Sequence, residues 1–272
     1  MEVLLPGGLP VNGRLERHAR FRPLTGRIEQ AVIESSDVAD RPAYVTSVLC
    51  RALDSIGAGP ADEASVARLG VADRQYLILR LGALLGGEQL WLKLRCAACD
   101  AWFDVDLRRN ELPVRAAAEG YPWISLQLGA RHIEAVVPNG EDQQAIAALD
   151  DAAAMQRLLR RCIRRVDGAA PGEEFFARLS EADIEALDEA LDDLAPAVCD
   201  RLQVDCPECH HSQQAPLDHY AQLGIDEYVF YDEVHTLASH YHWSEADILD
   251  LPRSKRQRYL DLISRSAALR GG

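Results

Sequence analysis

Two cysteine pairs with matching flanks constrain the fold of this chain more than any other feature. The first pair lies in "LKLRCAACDAWFDVDL", Leu92 to Leu107, and the second in "LQVDCPECHHSQQAPL", Leu202 to Leu217. Each segment begins with a leucine, a polar residue, an apolar residue and a charged residue, followed by Cys-x-x-Cys. Another leucine lies eight positions after the second cysteine of each pair. Flanks that alternate between apolar and polar residues are typical of half-buried strands. Each pair is therefore predicted to lie at the tip of a β-hairpin.

The pattern predicts that the four cysteines share one metal ion. Two thiolates three residues apart in a tight turn can bind the same cation, and two such turns complete the tetrahedron that structural Zn²⁺ prefers. Soft sulfur ligands also favour zinc over hard cations. We therefore expect a structural Zn²⁺ whose binding free energy is comparable to the stability of a small domain. Its predicted ligands are Cys96, Cys99, Cys206 and Cys209.

The distance between the pairs determines the predicted architecture. Residues 100 to 205, 106 in all, separate them, against roughly 15 to 20 in compact zinc-binding patterns. The intervening segment is then an insertion whose ends meet at the metal. We predict an α+β, mainly helical fold: a split four-cysteine zinc ribbon with an inserted α/β segment and a helical C-terminal tail. The predicted boundaries are 1–90 for an N-terminal hairpin plus helices, 91–108 and 201–217 for the ribbon, 109–200 for the insertion, and 218–272 for the tail.

Other uses of the cysteines remain open. A thioredoxin-like redox pair opens a helix, whereas "AWFDVDL" after Cys99 continues as a strand. A [2Fe–2S] cluster also takes four cysteines, and His210 or His211 could replace a ligand. A catalytic zinc keeps one coordination position open, which four thiolates would fill. The three other cysteines, in helical patterns, are interpreted as small buried apolar residues: Cys50, Cys162 and Cys199.

Local patterns predict the remaining elements. Asn12-Gly13 is typical of a two-residue hairpin turn, and "WISLQL" and "RHIEAVV" indicate two strands. "GAGPADEAS", residues 57–65, is predicted to be a loop. In the tail, one helical stripe is predicted to carry Tyr228, Tyr231, Val234, Ala238 and Tyr241. Helices are predicted over 27–34, 42–56, 73–85, 142–165, 179–194, 226–241, 244–251 and 253–265.

The charge distribution limits the partners. A net charge of -14 disfavours nonspecific nucleic-acid binding. We find no transmembrane run and no signal-peptide pattern, so we expect a cytoplasmic protein with reduced cysteines. From Pro252 onward, six basic residues accompany only one acidic residue, Asp261. This segment is either a solvated helix face or a docking surface for an acidic partner. Its candidate partner-binding residues are Arg253, Lys255, Arg256 and Arg258.

Three stretches resemble a known family: "FRPLTGRIEQ", "DRQYLILRLGALLGGEQLWLKLRCAAC" and "EVHTLASHYHWSEADILDLPRSKRQRYLDLI". It is the family of tail-assembly and baseplate proteins of contractile phages and phage-tail-like injection systems, around the T-even phage baseplate hub assembly proteins. The last stretch is the most specific, through its Tyr-x-Trp-Ser step, Ile248-Leu249, and the basic run into Tyr259-Leu260. Members vary in having cysteine knuckles, so the metal prediction rests on the cysteines alone.

The resemblance implies a non-enzymatic assembly factor or structural component of a contractile-tail baseplate. Its implied partners are baseplate, hub or tail-tube proteins of the same particle, without a small-molecule substrate or a membrane. Its implied location is the cytoplasm of a bacterial or phage-infected cell, or the assembled particle. One alternative is a zinc-ribbon nucleic-acid-binding regulator, in which 244–251 and 253–265 imitate a helix-turn-helix. A zinc hydrolase with an open metal position is another.

Overall fold

The computed structural model describes residues 1–34, 40–223 and 225–270. It is a mixed α+β protein, with 46% of residues in helices and 28% in strands of several small sheets. The prediction of a mainly helical fold is therefore wrong. Two strands, Leu53–Ile56 and Ile163–Val166, have only four residues and follow a helix directly. Such runs are too short for their periodicity to distinguish a strand from the end of a helix.

An antiparallel four-stranded sheet forms the N-terminal part, in the order β1 (Glu2–Val11), β2 (Arg14–Phe21), β3 (Leu53–Ile56) and β4 (Gly59–Pro60). Asn12 and Gly13, with φ of 50° and 76°, make the predicted hairpin turn between β1 and β2. The helix predicted over 42–56 ends earlier, because its last four residues pair with β2 as β3. Four helices share the core with this sheet: α1 (Gly26–Glu34), α2 (Arg41–Ala52), α3 (Glu63–Ala67) and α4 (Val71–Gly86). The predicted loop at 57–65 therefore contains β4 and the start of α3.

A buried carboxylate joins α4 to β1. Asp73 accepts hydrogen bonds from the backbone N–H groups of Gly7 (2.8 Å) and Gly8 (2.9 Å), at an irregularity in the pairing of β1 with β2. Burial raises the pKa of Asp73 to about 6, although these hydrogen bonds favour its charged form. A Cβ at Gly7 would lie 2.7 Å from Asp73 Oδ2, so this close approach requires glycine.

The middle of the chain builds its own three-stranded antiparallel sheet. Its strands are β8 (Trp123–Leu128), β9 (Arg131–Val136) and β10 (Ile163–Val166), and its core includes side chains from α6 (Asp151–Cys162), α7 (Glu173–Arg178) and α8 (Glu181–Leu194). The single helix predicted over 142–165 is wrong, because Asp150 accepts a hydrogen bond from Ala153 N (2.9 Å) and begins a new helix, and residues 163–166 pair with β9. From the first cysteine hairpin onward, the elements are β5 (Gln89–Arg95), β6 (Trp102–Arg108), β7 (Val114–Arg115), β8 (Trp123–Leu128), β9 (Arg131–Val136), α5 (Gly140–Ile146), α6 (Asp151–Cys162), β10 (Ile163–Val166), α7 (Glu173–Arg178), α8 (Glu181–Leu194) and β11 (Ala197–Val198).

The two ends of this middle segment meet in a short ladder. β7 pairs with β11 through Val114 opposite Val198 and Arg115 opposite Ala197. Cys199 N extends the ladder by donating to Pro113 O at 3.0 Å. Backbone hydrogen bonds therefore close the segment before the second cysteine hairpin begins. The boundaries predicted at 109 and 200 stay a prediction.

The C-terminal part consists of a hairpin, β12 (Arg201–Asp205) and β13 (Ser212–Pro216), and three helices, α9 (Glu227–Tyr241), α10 (Glu245–Leu249) and α11 (Arg253–Arg270). The stripe predicted on α9 is only partly correct: Val234 is buried and Ala238 and Tyr241 pack against the same cluster, but Tyr228 and Tyr231 are exposed. The other buried residues of this helix are Phe230, Glu233 and Leu237, whereas Tyr228 is 88% exposed. No helix of the described residues is both long enough and apolar enough to span a membrane.

The predicted zinc-ribbon fold is also wrong. β5–β6 and β12–β13 are separate two-stranded sheets, and among the described residues no strand of one hairpin pairs with a strand of the other. The matched flanks correctly predict two hairpins, because alternation is a local property. How two hairpins associate depends on contacts that alternation does not specify.

Candidate metal centre

The two cysteine hairpins end in the same backbone turn. In the first, Cys96 N donates to Ala101 O (2.9 Å) and Asp100 N to Cys96 O (3.1 Å). In the second, Cys206 N donates to His211 O and His210 N to Cys206 O, both at 2.9 Å. Asp100 and His210 occupy the same left-handed conformation, with φ of 61° and 58°. The matched spacing in the sequence therefore reflects matched geometry at the two tips.

A small apolar cluster holds the tips together. Phe103 from the first hairpin and Val204 and Ala215 from the second are buried with Cys96 and Cys206. These two cysteines are 1% and 0% exposed, whereas their partners in each pair, Cys99 and Cys209, are exposed. The site is consequently buried on the hairpin side and open to solvent on the other.

The geometry brings all four predicted ligands together. Their Sγ atoms all lie within 4.8 Å of one another, with Cys96 to Cys209 at 3.6 Å and Cys99 to Cys206 at 3.7 Å. A tetrahedral ion with metal–sulfur bonds of about 2.3 Å separates its ligands by about 3.8 Å. Disulfide sulfurs would be only about 2.05 Å apart. The donor set fits one tetrahedral ion that prefers thiolates.

The surroundings of the sulfurs favour the thiolate form at Cys96 and disfavour it at Cys99. Backbone N–H groups of Cys99 and Ala98 stabilise the Cys96 thiolate and lower the pKa of Cys96 to about 6. The Ala101 N–H similarly favours a Cys99 thiolate, but the neighbouring sulfurs and burial outweigh it and raise the pKa of Cys99 to about 12. A divalent cation bound to thiolates would displace the protons that these thiols carry.

A glutamine that the sequence analysis missed connects the hairpins. Gln213 Oε1 accepts from Ala97 N at 2.8 Å, and Gln213 Nε2 donates to Arg95 O at 3.0 Å. Both the oxygen and the nitrogen of this side-chain amide, which extends from β13, therefore bind the backbone at the tip of the other hairpin. The sequence offers no signal for this role, because Gln214 beside it has the same side chain and points to the opposite face.

The remaining candidate ligands lie elsewhere. In the described part of the chain, neither His210 nor His211 belongs to the group of mutually close ligand atoms. Cys162 is buried as predicted, which raises its pKa to about 12. Cys50 and Cys199 are only half-buried, whereas the sequence predicts both to be buried. The sequence also predicts that Cys199 lies in a helix, but this residue follows β11.

The predicted partner-binding residues on α11 differ in their exposure and in their ion pairs. Arg256 is fully buried, forms an ion pair with Glu29, and lies 3.8 Å from Glu233. Arg253 also faces Glu29, at 3.6 Å. Lys255 and Arg258 are exposed. Because a recognition helix would need its arginines free, and α10 has only five residues, this arrangement disfavours the helix-turn-helix alternative.

Comparison with known proteins gives one family. Residues 8–222, most of the chain, match the family described as T4 bacteriophage base plate protein. The chain therefore belongs to this family, which confirms the resemblance found in the sequence. The tail motif, interpreted above as its most specific part, lies beyond the matched residues. No curated protein and no solved structure matches the chain.

We expect Gln213→Ala to lower the free energy of unfolding by about 1–2 kcal/mol, because it removes two hydrogen bonds between the hairpins, each with a net contribution of about 0.5–1.5 kcal/mol. Urea denaturation measures this change. Gln214→Ala, at the exposed neighbouring position, is the matched control and should change stability by less than about 0.5 kcal/mol. Equal effects of the two substitutions would show that the cross-hairpin contacts do not stabilise the protein.

Proposed function

We propose that this member of the T4 bacteriophage base plate family is a non-enzymatic component or assembly factor of a contractile-tail baseplate. We also propose that a structural Zn²⁺ at Cys96, Cys99, Cys206 and Cys209 stabilises its fold. The family match over residues 8–222 supports the baseplate role. The convergence of the four sulfur atoms supports the metal.

The donor set supports a structural rather than a catalytic metal. Four thiolates would occupy all positions of a tetrahedral zinc, so no position would remain for an activated water or a substrate. Thiolates also favour zinc over magnesium or calcium, which prefer oxygen ligands. The ion would connect a hairpin that follows α4 to one that follows the middle segment, and so restrain two distant parts of the chain.

The exposed face of the first hairpin supports binding to other proteins of the particle. Trp91 and Trp102 lie on the same face of β5–β6 and are 63% and 62% exposed. Lys93 lies over the Trp102 ring, 5.6 Å from its centroid. Large aromatic side chains surrounded by charged residues are typical of energetically important positions in protein interfaces. We propose that a baseplate, hub or tail-tube protein covers this face during assembly into the particle.

Metal analysis tests the zinc proposal. We expect one zinc per chain in the purified protein, and loss of most of it in Cys206→Ser. Unfolding free energy should fall by more than about 3 kcal/mol in this variant, because a buried ligand of the ion is removed. Cys199→Ser is the matched control, since this cysteine is not one of the four close ligands, and a hydroxyl can donate to Arg201 O as its sulfur does.

Two outcomes would contradict the zinc proposal. Cys206→Ser could retain the zinc content of the control, which would exclude this cysteine as a ligand. Alternatively, purified protein could contain iron and inorganic sulfide in place of zinc, which would assign the same four cysteines to an iron–sulfur cluster.

Co-expression with the baseplate, hub and tube proteins of its own gene cluster tests the assembly role. We expect the chain to co-elute with at least one of them in size-exclusion chromatography. Trp91→Ala combined with Trp102→Ala should weaken this association at least tenfold, because truncating buried interface tryptophans typically costs more than about 1.4 kcal/mol. Trp123→Ala, which removes a 53% exposed tryptophan from β8, should leave it unchanged. Absence of co-elution with every one of these proteins would contradict the proposal.

A further inference from the structure

An apolar groove lies between the middle segment and the N-terminal part. It has a volume of about 870 Å³ and runs between α6, α8 and the start of α4. Its apolar lining includes Met155 and Leu158 from α6 and Ile184 and Leu191 from α8. Met155 is 46% exposed. A groove of this size and composition is typical of a binding surface.

Every charged residue that lines this groove is acidic. Four of them follow one stripe of α8 at steps of four, three and four residues, and they face solvent. Within the described chain, none of these four carboxylates forms an ion pair with a basic side chain. The nearby Arg115 donates to the backbone carbonyls of Asp192 and Asp193 at the end of α8. The surface, called here the acidic groove, carries Glu181, Glu185, Asp188, Asp192 and, from the loop after β11, Asp200.

The same chain exposes a surface of opposite charge on α11. Lys255, Arg258, Leu262 and Arg265 recur at steps of three, four and three residues, so they share one helical face. All four are exposed, and Leu262 is 46% exposed. Among the described residues, the three cations of this basic stripe form no ion pair. Arg256 of the same helix, by contrast, forms an ion pair with Glu29 that holds α11 against α1.

We infer that the basic stripe of one copy of this chain binds in the acidic groove of a second copy. At a rise of about 1.5 Å per residue, residues 181–192 span about 16 Å and residues 255–265 about 15 Å, so the two charge patterns match in length. Leu262 and the aliphatic parts of the basic side chains would cover the apolar floor, while their charged ends reach the acidic rim. The inference does not depend on the metal or on the baseplate role.

The contact joins two different surfaces, so it has a direction. Each copy keeps one free groove and one free stripe after it binds a neighbour. Such contacts generate closed rings or open chains rather than two-fold dimers. This property separates the inferred contact from a symmetric dimer.

Sedimentation velocity on the full chain tests the inference. We expect species larger than a monomer at about 0.05 M salt and their dissociation at about 0.5 M salt, where screening shortens the range of the attraction. The groove variant, Asp188→Lys with Asp192→Lys, and the stripe variant, Lys255→Glu with Arg258→Glu, should each be monomeric. An equimolar mixture of the two variants should associate, because the intact stripe of the groove variant fits the intact groove of the stripe variant and the two reversed surfaces are complementary to each other.

Matched variants make the test specific to this contact. Glu189→Lys with Asp193→Lys changes the charge of α8 equally, but neither residue lines the groove, so this protein should associate as the wild type does. A chain that carries both the groove and the stripe reversals should regain association, which also shows that the substituted helices fold. A wild type that is monomeric at low salt over all concentrations would overturn the inference. A mixture of variants that does not associate, or a control that dissociates like the groove variant, would do the same.

Discussion

The convergence of four thiols at the tips of two hairpins is the constraint on which the rest of the structure depends. Their sulfur atoms lie within 4.8 Å of one another, although 106 residues separate the two pairs. Four thiolates this close would repel one another, and the neighbouring sulfurs and desolvation accordingly raise the pKa of Cys99 to about 12. A divalent cation would replace this repulsion with four metal–sulfur bonds. The hairpins, their apolar cluster and Gln213 together provide the geometry that such an ion requires.

Polar contacts between distant residues position the elements around this centre. The β7–β11 ladder closes the middle segment, Asp73 fixes α4 to β1, and Arg256 with Glu29 fixes α11 to α1. Buried charged contacts of this kind contribute little net stability, but removing one partner is costly. They therefore favour one arrangement of the elements over others. A chain that presents exposed tryptophans and two complementary charged surfaces in fixed positions is suited to a multiprotein particle.

Sequence patterns predicted the local features of this protein well. The hairpin turn at Asn12-Gly13, the two cysteine hairpins and the helix predicted over 179–194 all depend on residues close in sequence. The failures involve long-range competition. Residues 163–166 continue a helical pattern but pair with β9, and the α9 surface that is buried depends on where α10 and α11 pack. The association of the hairpins and the role of Gln213 depend likewise on distant contacts, which periodicity does not encode.

X-ray absorption spectroscopy of the purified full chain tests the four-thiolate zinc centre most directly. The account predicts absorption at the zinc edge and a first shell of four sulfur atoms at about 2.3 Å, without a nitrogen or oxygen ligand. A first shell containing nitrogen or oxygen would show that the four cysteines do not complete the site. An iron edge with a short iron–iron distance would replace zinc with a cluster, and either result would contradict the account.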